Sequence, residues 1–321
     1  MSHRPQLSVV IPMHNASVTV RAVVESFLDI DELSLEVIVV DDCSTDDSIE
    51  QVESLGSTAV TVLRSDRPGG AGAARNRGFE RVTGTYTLFF DADDEIHADT
   101  LVASVAALEG SGADLTFHPY RYRRGDVSDY DGMNVFDRTV WSDYAKRFNH
   151  VITLGEVPRL LGFSNYPWNK VIRTERFRQT GLVYGHTPVH NDILGHWMSL
   201  LNARTVLLLD QPLCTHIVET GGANLTNRTS VDRLTVFDAL DETYSFLERN
   251  PTMRSRFAHH YWDFALRVSG WARGRLDKEH RNDFQARLQN HLLRMDLADY
   301  TSIRTKRDPE LADLILTRAI G

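Results

Sequence analysis

Polar residues able to bind a cation or a charged ligand gather at three points in this sequence, each directly after an apolar run. YTLFF (86–90) leads into Asp91, Asp93 and Asp94. LEVIVV (35–40) leads into Asp41 and Asp42, and LSVVIP (7–12), which ends on Pro12, into His14 and Asn15. Like charges at the end of one segment repel unless a cation offsets them. Carboxylate oxygens are hard ligands that suit Mg²⁺ or Mn²⁺, and such ions commonly take one or two carboxylates and complete their shell with substrate phosphates. The plainer reading of 91–94 is a loop with an acidic helix cap at Asp94.

The segment GGAGAARNRGFERVTG (69–84) reads as a glycine-rich turn opening into a helix that stops near Gly84. A dinucleotide fingerprint would follow the first strand and carry a third glycine where Arg75 stands. A helix N-terminus with Arg75 one turn inside it suits a ligand with negative charge, and a turn with a surface arginine is the alternative.

These residues need elements to hold them. The run at 7–12 reads as a strand buried on both faces, and those at 35–40, 60–64 and 86–90 as three further strands, with 113–122 as a fifth. Helices are expected over about 16–29, from Ser44 as N-cap to about Gly56, and over 69–84. Such alternation builds an α/β, mostly parallel, doubly wound sheet flanked by helices. In open sheets of this kind ligands bind beyond the carboxyl ends of the strands, so all three polar clusters would face one crevice. Further on, a helix is expected at 191–203 and strands at 205–209 and 213–218. After 229 the chain turns helical. Apolar stripes run Val231, Leu234, Phe237, Leu240, Tyr244, Leu247, then Met253, Phe257, Tyr261, Phe264, Val268, Trp271. A third helix shows Phe284, Leu288, Leu292 and Met295, and a fourth starts at Asp308-Pro309.

Composition fits a globular chain, 42% hydrophobic and 25% charged. Residues 249–307 hold 13 Lys and Arg against 6 Asp and Glu, a balance of +7 that leaves −16 on the remainder of a chain of net charge −9. The acidic body argues against nucleic acid as a partner. The basic, aromatic tail (Tyr261, Trp262, Trp271, Arg267, Arg273, Arg275) fits an acidic acceptor polymer, peripheral contact with an anionic membrane, or a homodimer contact, while solvated helix faces and plain packing explain it too. The N-terminal apolar stretch is short and contains Pro12, so it does not read as a signal peptide, and no run reaches the ~20 apolar residues of a membrane span. Cys43 and Cys214 have no metal-type spacing and suggest reduced thiols. The expected location is the cytoplasm, with the inner face of the membrane within reach.

SVVIPMHN, VIVVDDCSTDDS, GAGAARNRG and FFDADDE, in this order and spacing, closely resemble the nucleotide-binding half of family 2 glycosyltransferases of the GT-A fold. The resemblance is strong over about 6–125 and weaker over 165–220. It implies a nucleoside diphosphate sugar donor, usually a uridine one, and inverting transfer to an acceptor hydroxyl on a glycan, polysaccharide or glycolipid. Carried over, Pro12, His14 and Asp42 line base and ribose, with Asn15 and Asp41 beside them. Arg75 sits near the base, Asp91 touches the ribose, and Asp93 binds the metal bridging the diphosphate. PVHNDILGHW (188–197) lies where the family keeps its general base, so Asp192 is the candidate; Asn191 stands where a glutamate is more frequent, and either residue could instead cap the helix. YPWNKVIR (166–173) resembles an acceptor-side segment, with Trp168 stacking on a sugar or lying in the core and Lys170 meeting phosphate. In THIVETGGANLTN (215–227), where many members carry Arg and His, only His216 and Thr226 are comparable, and His216 would add a metal or phosphate contact.

The expected organisation is a GT-A catalytic domain over 1–228, with a nucleotide-binding half at 1–125 and an acceptor half at 126–228, and a C-terminal helical appendage over 229–321. Rivals are a sugar nucleotidyltransferase, which would show a glycine-rich loop with lysine where MHNASVTV stands, and a non-catalytic sugar-nucleotide or glycan-binding module.

Overall fold

The computed structural model describes residues 4–124, 132–218 and 231–320. Its strands are β1 (Leu7–Met13), β2 (Leu35–Asp41), β3 (Val60–Arg64), β4 (Tyr86–Phe89), β5 (Glu95–Ile96), β6 (Leu115–Phe117), β7 (Arg121–Arg124), β8 (Val151–Ile152), β9 (Lys170–Arg173), β10 (Val206–Leu208) and β11 (Cys214–Val218). Eight of them form one sheet in the order β3-β2-β1-β4-β9-β6-β10-β8, and β5-β11-β7 form a small second sheet. β1 through β4 pair in parallel, as do β6 and β10. β9 enters antiparallel between β4 and β6, and β8 runs antiparallel to β10. All seven residues of β1 are buried, which is why this strand reads as an unbroken apolar run rather than an alternation.

Helices α1 (Val20–Leu28), α2 (Ser48–Glu53), α3 (Gly70–Arg81), α4 (Ala98–Ser111), α5 (Val135–Asp143), α6 (Thr174–Gln179) and α7 (Asp192–Asn202) belong to this α/β body. α3 lies on β1 and β2, close enough that a Cβ on Gly78 would stand 2.4 Å from Val10 Cγ1. Toward the C-terminus come α8 (Val236–Glu248), α9 (Pro251–Gly274), α10 (Arg281–Leu292), α11 (Leu297–Ser302) and α12 (Pro309–Ile320). α8 packs on α7, and α9 on the turn at 158–162. Trp197 of α7 meets Tyr261 and Phe264 of α9 at ring distances of 5.5 and 5.6 Å. The buried apolar residues of body and C-terminal helices form one continuous core.

Several local expectations change. The stretch 113–122 is two strands in two sheets. Pro119 lacks the N–H to continue a ladder, and His118 turns inward to Gln211 O (2.9 Å) and Ser104 Oγ (3.0 Å). Ser44 does not cap a helix: α2 begins at Ser48, and Ser44 Oγ instead accepts the Asn15 N–H. The oxygens of Ser48 and Asp46 accept the N–H groups of Ala16 and Ser17, which stitches the loop after β1 to the loop after β2 and delays α1 to Val20. α3 ends at Arg81 rather than at Gly84, whose absent side chain makes room for Ser8 Oγ. Trp271, read as part of an apolar stripe, stays 38% exposed. Thr226 lies outside the described residues.

Candidate active site

β1, β2 and β4 are neighbours, so the polar residues at their carboxyl ends meet, as parallel order requires. The His14 ring bonds through Nδ1 to Asp42 O (2.8 Å). Asn15 holds a left-handed backbone (φ 49°), which asparagine tolerates better than most residues, and its Oδ1 accepts the Thr45 N–H (2.8 Å). Asp41 is buried and accepts the Ser44 N–H. The two carboxylate oxygens of Asp42 accept the N–H groups of Gly69 (2.8 Å) and Gly70 (2.7 Å), which pins the N-terminus of α3. Pro12, buried in β1, supports this rim.

α3 carries the rim into a cavity of about 810 Å³, whose lining includes Ala71, Arg75, Asp91, Tyr166, Asn191, Asp192 and His216. Arg75 is 4% exposed and spans it from below. One nitrogen donates to Asp91 Oδ1 at 2.6 Å and another to Asn191 Oδ1 at 2.8 Å, so a single guanidinium ties the end of β4 to the start of α7. Burial works against its charge, but Asp91 outweighs that and the guanidinium is held more firmly protonated. α3 can come this near because Gly72 has no side chain: a Cβ there would sit 1.9 Å from Gly185 O and 3.0 Å from Asn191 Cβ.

Asp192 stands on the first turn of α7, after His190 in a left-handed conformation (φ 66°). Burial raises its carboxyl to about 6, against the pull of Arg75. Such a group takes up a proton near neutral pH, as a general base must. Asp93 is raised to about 7, first by burial and then by repulsion from Asp94 and Asp91. Asp94 is buried; its Oδ1 accepts from His216 Nδ1 (2.8 Å) and from the Ile217 N–H (2.9 Å), and its Oδ2 has no hydrogen-bond partner. Burial opposes charge on His216, yet Asp94 prevails and raises its pKa. Among the described residues no three His, Cys, Asp or Glu side chains form a ready metal cage. The crowded Asp93 and the orphaned oxygen of Asp94 still fit a divalent ion of the kind that borrows most of its ligands from phosphate.

Lys170 is not brought to this cavity. It is 2% exposed, and its ammonium donates to Tyr166 O (2.8 Å) and Asn169 Oδ1 (2.5 Å) and meets His196 Nδ1 (3.2 Å). Burial lowers its pKa to about 7. Trp168 is fully buried under Tyr166, the rings 4.4 Å apart and 11° from parallel, so Tyr166 is the aromatic on the cavity side. The opposite wall contains residues that the motifs did not single out. Asp137 accepts from Tyr120 Oη (2.7 Å), and Asn134 caps α5 through the Asp137 N–H (2.9 Å). Arg233, the α9 residues Phe264, Arg267, Val268 and Trp271, and Arg275 just after α9 also belong to the lining. The basic and aromatic content of α9 was a visible signal, but its partner across the chain was not.

The model of Glycosyl transferase family 2 matches residues 8–177, more than half of the chain. The chain belongs to glycosyltransferase family 2. Among curated relatives, the putative teichuronic acid biosynthesis glycosyltransferase TuaG of Bacillus subtilis is 32% identical over 131 residues, 40% of this chain and 52% of that protein. The succinoglycan biosynthesis protein ExoO of Rhizobium meliloti is 31% identical over 131 residues, 41% of this chain and 36% of its own length. The chain thus spans about half or less of the curated relatives it matches. The crystal structure of Staphylococcus aureus TarS 1-349 in complex with UDP-GlcNAc aligns over 98% of this chain and 88% of that one, with a TM-score of 0.69 and 19% identity. The Pyrobaculum calidifontis mannosyltransferase PcManGT, in complex with GDP-Man and Mn²⁺, aligns over 99% and 87% with a TM-score of 0.58 and 16% identity. These likenesses show that the fold is the GT-A one, and they extend through the C-terminal helices of this family 2 chain.

Proposed function

We propose that this family 2 glycosyltransferase moves a sugar from a UDP-sugar, with inversion, onto a hydroxyl of a glycan, polysaccharide or glycolipid. One observation carries the reading: Arg75 joins Asp91, beside the acid cluster, to Asn191, beside Asp192, across one cavity. The rim made by Pro12, His14, Asn15, Asp41 and Asp42 takes base and ribose, with Arg75 and Asp91 at the inner end. Asp93, with Asp94 and His216 behind it, would hold Mg²⁺ or Mn²⁺, which as a Lewis acid stabilises the departing diphosphate.

Asp192 takes the proton from the acceptor hydroxyl. The acceptor oxygen bonds the anomeric carbon as the bond to the diphosphate breaks on the opposite face. Burial keeps Asp192 basic enough for the transfer. The UDP-GlcNAc held by TarS and the polysaccharide biosynthesis roles named for TuaG and ExoO support a sugar nucleotide and a glycan product. A non-catalytic binding module has no use for a carboxyl raised toward neutrality at the start of α7.

Asp192→Asn tests this. UDP binding in the presence of Mn²⁺ should stay within about twofold of the parent, while transfer should fall by at least about 10²-fold, the usual worth of a general base. Normal turnover by the variant would place the base elsewhere.

A further inference from the structure

The proposed reaction makes no use of Lys170, a cation set at the first position of β9 with 2% exposure, 5.2 Å from the centre of the Phe117 ring. An ammonium has three N–H groups, and here each has an acceptor: Tyr166 O (2.8 Å), Asn169 Oδ1 (2.5 Å) and His196 Nδ1 (3.2 Å). His196 can accept because its other nitrogen donates to Leu160 O (3.0 Å), which fixes the neutral tautomer. Burial and then Lys170 hold the His196 pKa well below its ordinary value, so the ring stays uncharged. All three acceptors are therefore neutral, and a buried ammonium without a counter-charge is costly.

The counter-charge comes along α7. His196 stands four residues after Asp192, so the two side chains share one face of that helix. Burial works against the charge of Lys170, and the Asp192 carboxylate supports it. In turn, burial raises Asp192; Arg75 from α3 and then Lys170 work against that, while Asp91 from the end of β4 adds to it. Tyr184, whose ring lies 5.3 Å from the Arg75 guanidinium, is raised by burial and stays neutral. From α8, Glu242 reaches Gly185 beside Asn191, and burial raises its carboxyl.

We infer that Lys170 is a positioning residue for the transfer: its ammonium, bonded between β9 and α7, stands behind Asp192 and holds that carboxyl ionised and ready to accept a proton. The inference rests on the reading of Asp192 as the base. Lys170 keeps its proton below about pH 7, so its charge is present over the range near pH 6 in which Asp192 titrates.

Carbon-13 NMR of the full chain, labelled at the aspartate carboxyls and the lysine Cε, reads both groups without a substrate. Asp192→Asn identifies the Asp192 resonance, and Lys170→Gln the Lys170 one. In Lys170→Gln the Asp192 midpoint should rise by about one pH unit, and in Lys170→Arg, which keeps the charge, by less than about 0.3. Coupling is reciprocal, so in Asp192→Asn the Lys170 midpoint should fall by about one unit, a result that decides the matter if Lys170→Gln does not fold. UDP affinity with Mn²⁺ in Lys170→Gln should match the parent and reports folding. With UDP-GlcNAc as donor and water in place of the acceptor, the acid limb of UDP release should move to higher pH together with the Asp192 midpoint. An unmoved Asp192 midpoint in a folded Lys170→Gln, an equal shift in Lys170→Arg, an unmoved Lys170 midpoint in Asp192→Asn, or an acid limb that stays in place while the midpoint moves overturns the inference. Normal UDP release by Asp192→Asn would count against the base reading instead, and the two titrations would still report whether Lys170 and Asp192 are coupled.

Discussion

Arg75 and Asp192 show how much of a site can rest on two charges. Arg75 is buried, so its cost in lost hydration must be offset, chiefly by Asp91 and by Asn191, whose bonds also fix the two sides of the cavity. Asp192 gains basicity from the same walls. With its carboxyl at about 6, it is deprotonated and active above that value and protonated below it. At saturating donor, acceptor and Mn²⁺, kcat should fall about tenfold per pH unit as acidity passes below roughly pH 6. A profile flat down to pH 4.5 would remove Asp192 as the titrating base. Single residues were unevenly legible. Asp91, Arg75 and Asp192, which line the cavity, stood in motifs at strand and helix ends. Lys170 and Trp168 stood in a motif too, but Lys170 opens β9, inside the sheet, and Trp168 lies in the turn just before it, and no spacing says which way such side chains turn.

At the level of elements, α3 is the part that joins the rim at the strand ends to the cavity. Asp42 pins its first N–H groups, and Gly72 lets its first turn touch the backbone at Gly185 beside Asn191. Gly72→Ala puts a methyl group 1.9 Å from Gly185 O, so the helix or the loop must move. A loss of about 1–3 kcal/mol in stability is expected, the usual cost of overpacking, together with reduced transfer. Thermal unfolding and a rate assay measure both, and an unchanged melting temperature would mean that the two elements are not in contact. The strands β1, β2 and β4 were readable because burial on both faces writes itself as continuous apolar runs, whereas β3, at the sheet edge, is only partly buried. β9 and β8 were missed because strands of four and two residues leave too little pattern. The single strand expected at 113–122 divided because Pro119 forces the chain from one sheet to the other.

Across the molecule, the helices of the C-terminal appendage do two things. They continue the hydrophobic core, through Trp197 against Tyr261 and Phe264, and they wall the cavity through Arg267, Trp271 and Arg275. Cutting the chain at residue 228 would expose these aromatic faces, each worth on the order of 2 kcal/mol or more of burial. The truncated protein should therefore lose cooperative unfolding and aggregate rather than survive as a donor-binding unit. A soluble 1–228 fragment that binds UDP normally would show the body to be independent. No helix of the described residues is long and apolar enough to cross a membrane. Of the basic C-terminal stretch, Arg267 and Arg275 line the same cavity as Asp91, Asp137 and Asp192 of the body. The account as a whole stands on the acid cluster at the strand ends holding a cation for the donor diphosphate. Calorimetry of UDP with and without Mn²⁺, on the parent and on Asp93→Ala, tests it most directly. The account predicts that Mn²⁺ tightens UDP binding in the parent by at least about tenfold and has no effect in the variant. UDP affinity that ignores both the metal and the substitution would contradict it.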